Sequence, residues 1–144
     1  MNTINFTVHG DPKGQPRPRA FARGGRARVY DPGTAEGWKS QVAIAAKPFI
    51  PSSPFVNDIS LKITFRFARP KAHYGCKKGV RYLKDNAPVS HVQKPDSDNL
   101  AKAVMDALTI IGMWHDDSQI NNCTFEKRWC DEGQQGADIS IVAL

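Results

Sequence analysis

Residues 59–67 read ISLKITFRF. Ile59, Leu61, Ile63, Phe65 and Phe67 alternate with Ser60, Lys62, Thr64 and Arg66. A period of two puts the five apolar side chains on one face of a strand and the polar ones on the other. That predicts a sheet with one covered face. Upstream, residues 3–8, TINFTV, alternate in the same way, with Ile4, Phe6 and Val8 on one side. Downstream, residues 119–130 and 136–143 alternate around DEGQQG and predict a hairpin.

Two segments carry helical spacing instead. Residues 34–47, TAEGWKSQVAIAAK, direct Trp38, Val42 and Ala45 inward, and Pro48 and Pro51 end the run. Residues 99–111 are the better helix: Leu100, Ala103, Val104, Ala107, Leu108 and Ile111 recur at i, i+3, i+4 and i+7. Asp98 suits its N-cap and Gly112 its C-terminal cap. Asp98, Lys102 and Asp106 line the opposite face. The order β-α-β-α-β-β predicts an α+β fold, a mixed β-sheet with two main helices packed on it. The chain has 144 residues, with no repeat and no dividing linker, so one domain over 1–144 is expected.

No apolar run approaches the ~20 residues that span a bilayer, and MNTINFTVHG predicts no signal peptide. Cys76, Cys123 and Cys130 are odd in number and form no CxxC pair, which argues against a disulfide framework or a thiolate zinc site. Free thiols fit a cytoplasmic chain.

Charge is unevenly distributed. Residues 1–94 hold 17 Lys/Arg against 5 Asp/Glu, and residues 95–144 hold 3 against 9. Residues 11–30 contain Lys13, Arg17, Arg19, Arg23, Arg26 and Arg28 against Asp11 alone. Residues 62–84 contain eight basic residues, Lys77, Lys78 and Arg81 among them, and no acid. Two loops are expected here: GDPKGQPRPRAFARGG after the first strand, and residues 69–95 with a short strand near Val80–Leu83. Arginine-rich segments attract polyanions and suit forked phosphate contacts. A nucleic acid is the expected partner, with Arg17, Arg19, Arg23, Arg26, Arg28, Lys77, Lys78, Arg81 and Lys94 as candidate contacts.

Against this basic background stands HVQKPDSDNLAKAVMDAL at 91–108, followed by WHDD at 114–117. Asp96, Asp98, Asp116 and Asp117 gather within 22 residues. Uncompensated carboxylates repel DNA, and a bound cation reverses that sign. Carboxylates are the ligands that Mg²⁺ and Mn²⁺ prefer, and phosphodiester hydrolysis uses such a cation. Asp98 as a helix cap, Asp96 as a first-turn acid, Lys102 as an i±4 ion-pair partner and Asp116–Asp117 as turn residues is the plainer reading. An EF-hand starting at Asp96 fails, because its sixth and twelfth positions are Ala101 and Ala107. His9, His73, His91 and His115 show no metal-binding spacing; His91 and His115 flank the acids and are candidates for phosphate contact.

KPDSDNLAKAVMDAL followed by GMWHDDSQI resembles the RusA family of Holliday-junction endodeoxyribonucleases, common in phages and prophages. Asp96, Asp98, Asn99, Lys102, Asp106, Ala107, Leu108, Gly112, Trp114, Asp116 and Asp117 fall on the family's pattern, and GDPKGQPRPRA is similar to its proline–arginine loop. The close match covers about 30 residues; the rest agrees in element order. One departure is that some members carry an arginine run before DxD, where this chain has His91, Lys94 and Pro95. The resemblance implies a homodimer that nicks two opposed strands of a four-way junction with Mg²⁺ or Mn²⁺. By position, Asp96, Asp98 and Asp117 would be catalytic metal ligands and Lys102 their essential partner. The alternatives are a metal-dependent nuclease for other branched or duplex DNA, and a non-catalytic DNA-binding module.

The expected helix poses a geometric question. Thirteen residues from Asn99 to Ile111 span about 20 Å, so Asp98 and Asp117 start from opposite ends. Either residues 112–118 fold back along the helix, or Asp117 completes the site of a second subunit.

Overall fold

The computed structural model describes residues 1–16, 19–23, 26–30 and 35–144; within 19–23 and 26–30 it describes the backbone path alone. The main sheet holds four strands: β1 (Asn2–His9), β4 (Ile59–Ala68), β7 (Ile120–Cys130) and β8 (Gly136–Ala143). Two strand pairs stand outside it, β2 (Arg19–Arg23) with β3 (Arg26–Tyr30) and β5 (Tyr74–Lys77) with β6 (Val80–Leu83). The helices are α1 (Glu36–Ala46) and α2 (Ser97–Ile110). The expected α+β class, with a mixed sheet and two helices, is what is observed.

The strand order is β1-β8-β4-β7. β8 runs antiparallel to both β1 and β4, and β7 runs parallel to β4. This corrects the hairpin expected from residues 119–143: β7 and β8 are not neighbours, because β4 lies between them. Two strand spacings are about 10 Å, and the five residues 131–135 span that easily when extended. Alternation fixes which face a strand buries, not which neighbour it takes. α2 is the crossover that makes β4 and β7 parallel, a connection no short turn can provide.

The apolar row that opened the reading fills the core. Ile59, Leu61, Ile63 and Phe65 are fully buried, as are Val8, Ile141 and Leu100. Trp38, Val42 and Ala46 of α1 and Leu100, Ala103, Val104, Ala107 and Leu108 of α2 pack against them. α1 ends at Ala46, and Lys47–Phe49 tighten into a 3-10 turn around Pro48.

The two basic segments are less loop-like than expected. Residues 19–23 pair antiparallel with residues 26–30, Arg19 opposite Tyr30 and Arg23 opposite Arg26. In the 69–95 segment the strand expected near Val80–Leu83 is present, and Tyr74–Lys77 pairs with it. Lys78, at φ 51°, and Gly79, at φ 75°, make the tight turn.

Candidate active site

α2 begins two residues earlier than its apolar pattern implied. Asp96, not Asp98, is the N-cap: its backbone is extended, and its carbonyl accepts from the Leu100 N–H at 3.0 Å. The Asp96 carboxylate makes no capping bond, so the helix does not use it. Asp98 lies inside the first turn, where its Oδ1 accepts from the Asn99 N–H at 2.9 Å and its charge favours the helix's positive end.

The other end of α2 answers the distance question. Gly112 takes a φ of +87°, where glycine has no steric penalty. The Gly112 N–H donates to the Thr109 carbonyl and the Met113 N–H to the Leu108 carbonyl, a Schellman closure that reverses the chain. Trp114 then inserts fully into the core, and its indole N–H donates to the Thr109 hydroxyl at 2.7 Å. The Phe55 N–H donates to the Met113 carbonyl, which pins the returning strand.

Asp116 and Asp117 part company at this point. Asp116 caps a short 3-10 turn, Asp117–Gln119, by accepting from the Ser118 N–H. Gln119 reaches back to the Asp116 and His115 N–H groups, and its amide donates to the Phe55 and Asn57 carbonyls. The Ser118 backbone, the Asp117 side chain and the Lys102 charge hold the Asp116 carboxyl below its ordinary range. Asp117 also reaches α2. Its Oδ2 lies 3.1 Å from Lys102 Nζ, and Asp106 Oδ1 lies 3.0 Å from the same ammonium. Asp106 first, and then Asp117, raise the Lys102 pKa above the ordinary lysine value, so the charge is secure.

Lys102, Asp106 and Asp117 of one chain are therefore assembled by the fold-back alone. Asp98 stands one helical turn before Lys102 on the same face. Asp96 sits apart, at the junction of two open grooves. One, of about 420 Å³, runs past Lys13, Gly14, Lys94 and Asn99; the other, of about 600 Å³, past His91, Lys94 and Lys127. The Gln15 N–H donates to the Asn99 carbonyl at 2.8 Å, which docks the N-terminal loop on α2 and brings Lys13 to the first groove.

By donor type these aspartates suit a hard divalent cation. Among the described residues, no three His, Cys, Asp or Glu side chains stand together in a coordination geometry. Here Asp106 and Asp117 share the Lys102 ammonium.

The candidate DNA-contacting residues scatter. Arg17 lies outside the described residues, and Arg19, Arg23, Arg26 and Arg28 are on the β2–β3 backbone. Lys77, Lys78 and Arg81 are on the β5–β6 hairpin, where the Arg81 guanidinium lies 3.7 Å over the Tyr74 ring. Lys94 borders both grooves beside Asp96. Part of the basic stretch is taken up internally: Arg66 pairs with Asp138, and Arg69 donates to the Pro88 carbonyl. His91 is not a surface ligand. It is buried, stacked on Phe67 at 3.9 Å between ring centres and tilted against Trp129 at 4.5 Å. Burial, and then the Lys127 charge, lower its pKa, so the ring is neutral at neutral pH.

Sequence reasoning did not single out Lys13 or Lys127 as site residues. Lys127 left a signal. Leu61, Ile63, Phe65 and Phe67 pair with Cys123, Phe125, Lys127 and Trp129, so a lysine interrupts an otherwise apolar row on the core face.

A family model for the RusA endodeoxyribonuclease matches residues 9–141, nearly the whole chain. The chain belongs to the RusA endodeoxyribonuclease family. It is also 31% identical over 132 residues, 92% of each chain, to YqaN, an uncharacterized protein of Bacillus subtilis strain 168. The RusA-family match takes in β4, β7, most of β8, both helices and every acidic residue described above, and leaves out β1 up to His9. Among the described residues no helix is long and apolar enough to cross a membrane.

Proposed function

We propose that this RusA-family chain is a Mg²⁺- or Mn²⁺-dependent endodeoxyribonuclease that acts as a homodimer on four-way DNA junctions, nicking two opposed strands. The observation that carries this reading is the return of Asp117 to Lys102 from the far end of α2. A fold has no structural need to bring a second acid to a half-exposed lysine that already has Asp106, since exposed ion pairs contribute about 0–1 kcal/mol. The substrate and the two-fold assembly come from the family.

In this reading Asp96, Asp98 and Asp117 would hold the cation, drawn together from the separate positions they have here. When bound, it supplies a more acidic water and offsets charge on the phosphate. The chain's own groups do the rest. Lys102, kept charged by Asp106 and Asp117, faces the negative charge that grows on the phosphate oxygens. Asp96 has no capping duty and opens onto both grooves, so a backbone phosphate can approach it from either side. Lys13 and Lys94 offset the repulsion that the acids alone exert on DNA. Asp116 is spent on the local turn and carries no part of the reaction.

A labelled four-way junction and its matched linear duplexes, incubated with Mg²⁺ and then with EDTA, test this. Paired nicks in the junction alone, abolished by EDTA, are expected. Equal cutting of the duplex points to a less selective nuclease. Unchanged binding in EDTA with no cutting in Mg²⁺ leaves a binding module and refutes the proposal.

A further inference from the structure

Lys127 is out of place by the rules that built the rest of the sheet. Its register partner is the fully buried Phe65, so its stem lies in the apolar row, yet it carries a charge. Its ammonium has two backbone acceptors, the Gln93 carbonyl at 2.6 Å and the Pro95 carbonyl at 2.8 Å. Both belong to the segment that delivers Asp96, the residue after Pro95. The same segment is fastened to β7 by two further hydrogen bonds, which frame a bridge between Ser90 and Arg128. The His91 N–H donates to the Lys127 carbonyl, and the Trp129 N–H donates to the Val89 carbonyl. His91 wedges its ring between Phe67 and Trp129. Residues 89–95 thus run along the outer edge of β7, and Lys127 closes the far end of that seam. Burial depresses the Lys127 pKa while Asp96 counteracts it, so the ammonium and that carboxylate feel each other. Lys127 and Asp96 also border the same groove.

We propose that Lys127 is a positioning residue of the cleavage site: it clamps the Gln93 and Pro95 carbonyls so that Asp96 is presented in one fixed orientation. This rests on the reading of Asp96 as a working acid. Charge–dipole bonds to two carbonyls on either side of Lys94 are directional and strong relative to neutral ones. They hold the backbone ahead of Asp96 without occupying the carboxylate itself. Lys102 addresses the site from α2, and Lys127 addresses it from the sheet below.

The test compares K127M, K127Q and K127R with the parent chain. Three readouts are taken: amide hydrogen exchange, Mn²⁺ binding by electron paramagnetic resonance without DNA, and junction binding and cleavage. For K127M, exchange should quicken at least tenfold in residues 91–98 and not in β1, β4 or β8. Its Mn²⁺ dissociation constant should rise at least fivefold. Cleavage should fall at least 30-fold, while junction binding in EDTA stays within threefold of the parent. K127R keeps the charge and can serve both carbonyls, so it should retain at least a third of the cleavage and parent-like exchange. Unchanged exchange at 91–98, or loss of junction binding equal to the loss of cleavage, overturns the proposal. So does a K127R chain as impaired as K127M. If K127M does not fold, K127Q and K127R decide: a folded K127Q that cuts within threefold of the parent overturns it. If the parent never cuts a junction, the nuclease reading fails by itself. The exchange readout still decides whether Lys127 holds the loop.

Discussion

Replacing Lys102 with methionine separates a structural lysine from a functional one. The ammonium has two ion pairs, which invites the view that it stabilises the fold. The exposures argue otherwise: the Lys102 side chain is 51% exposed, Asp106 25% and Asp117 35%. Water screens such pairs, and each contributes about 0.2–1 kcal/mol. Methionine keeps most of the aliphatic stem and its packing. Losing both pairs therefore costs about 0.4–2 kcal/mol, and the acids left behind remain open to water. At about 2–4 °C per kcal/mol for a chain near this size, Tm should fall by about 1–8 °C. Set against a usual stability of about 5–15 kcal/mol, the chain stays folded at assay temperature. Removing a charge that faces a transition-state oxyanion, by contrast, costs about 10²–10³-fold in rate. Thermal melts and single-turnover junction cleavage of K102M should therefore diverge, with a small shift in the first and a collapse in the second. K102M cutting within threefold of the parent would refute this reasoning. So would a Tm loss beyond about 15 °C with a rate that tracks the unfolded fraction.

Three further outcomes follow from the same geometry. Gly112→Ala meets only ordinary contact, Pro54 Cγ at 3.9 Å, so its cost is the left-handed backbone alone, about 1–2 kcal/mol by denaturant unfolding, with cleavage near the parent's. Because one chain brings Asp117 to its own Lys102, mixed Asp96→Asn and Asp117→Asn subunits should recover no cleavage, whereas a site shared between subunits would leave half of the sites in a mixed dimer intact. His91 has a folded pKa lowered by burial, so its contribution to stability is complete above the unfolded value of 6.5 and is lost as pH falls through the lower folded value. Melts between pH 7.5 and 5 should show a drop that is smaller in His91→Phe.

The core was legible in the sequence wherever a period was strong. ISLKITFRF and the Leu100–Leu108 pattern predicted their elements and their buried faces, because burial imposes the period directly. Neighbour choice was not legible, since β7 and β8 would alternate identically as a hairpin or across β4. The helix start moved from Asp98 to Asp96 because three polar residues in a row, Ser97, Asp98 and Asn99, can each open a helix. The acids and Lys102 were visible as a motif, but the choice between Asp116 and Asp117 depended on a local cap that only the turn geometry reveals. Lys127 was missed although its signal was present, because one polar residue in an alternating strand reads as noise until its acceptors are known.

The most direct measurement is Asp96→Asn on a labelled four-way junction, with binding measured in EDTA and cleavage in Mg²⁺. Asparagine keeps the shape of a side chain that makes no capping bond, so the fold is not disturbed. It also removes one negative charge beside the DNA. Cleavage should vanish while the junction is bound as tightly as by the parent, or more tightly. A variant that still cuts, or one that loses binding along with cleavage, would contradict the account.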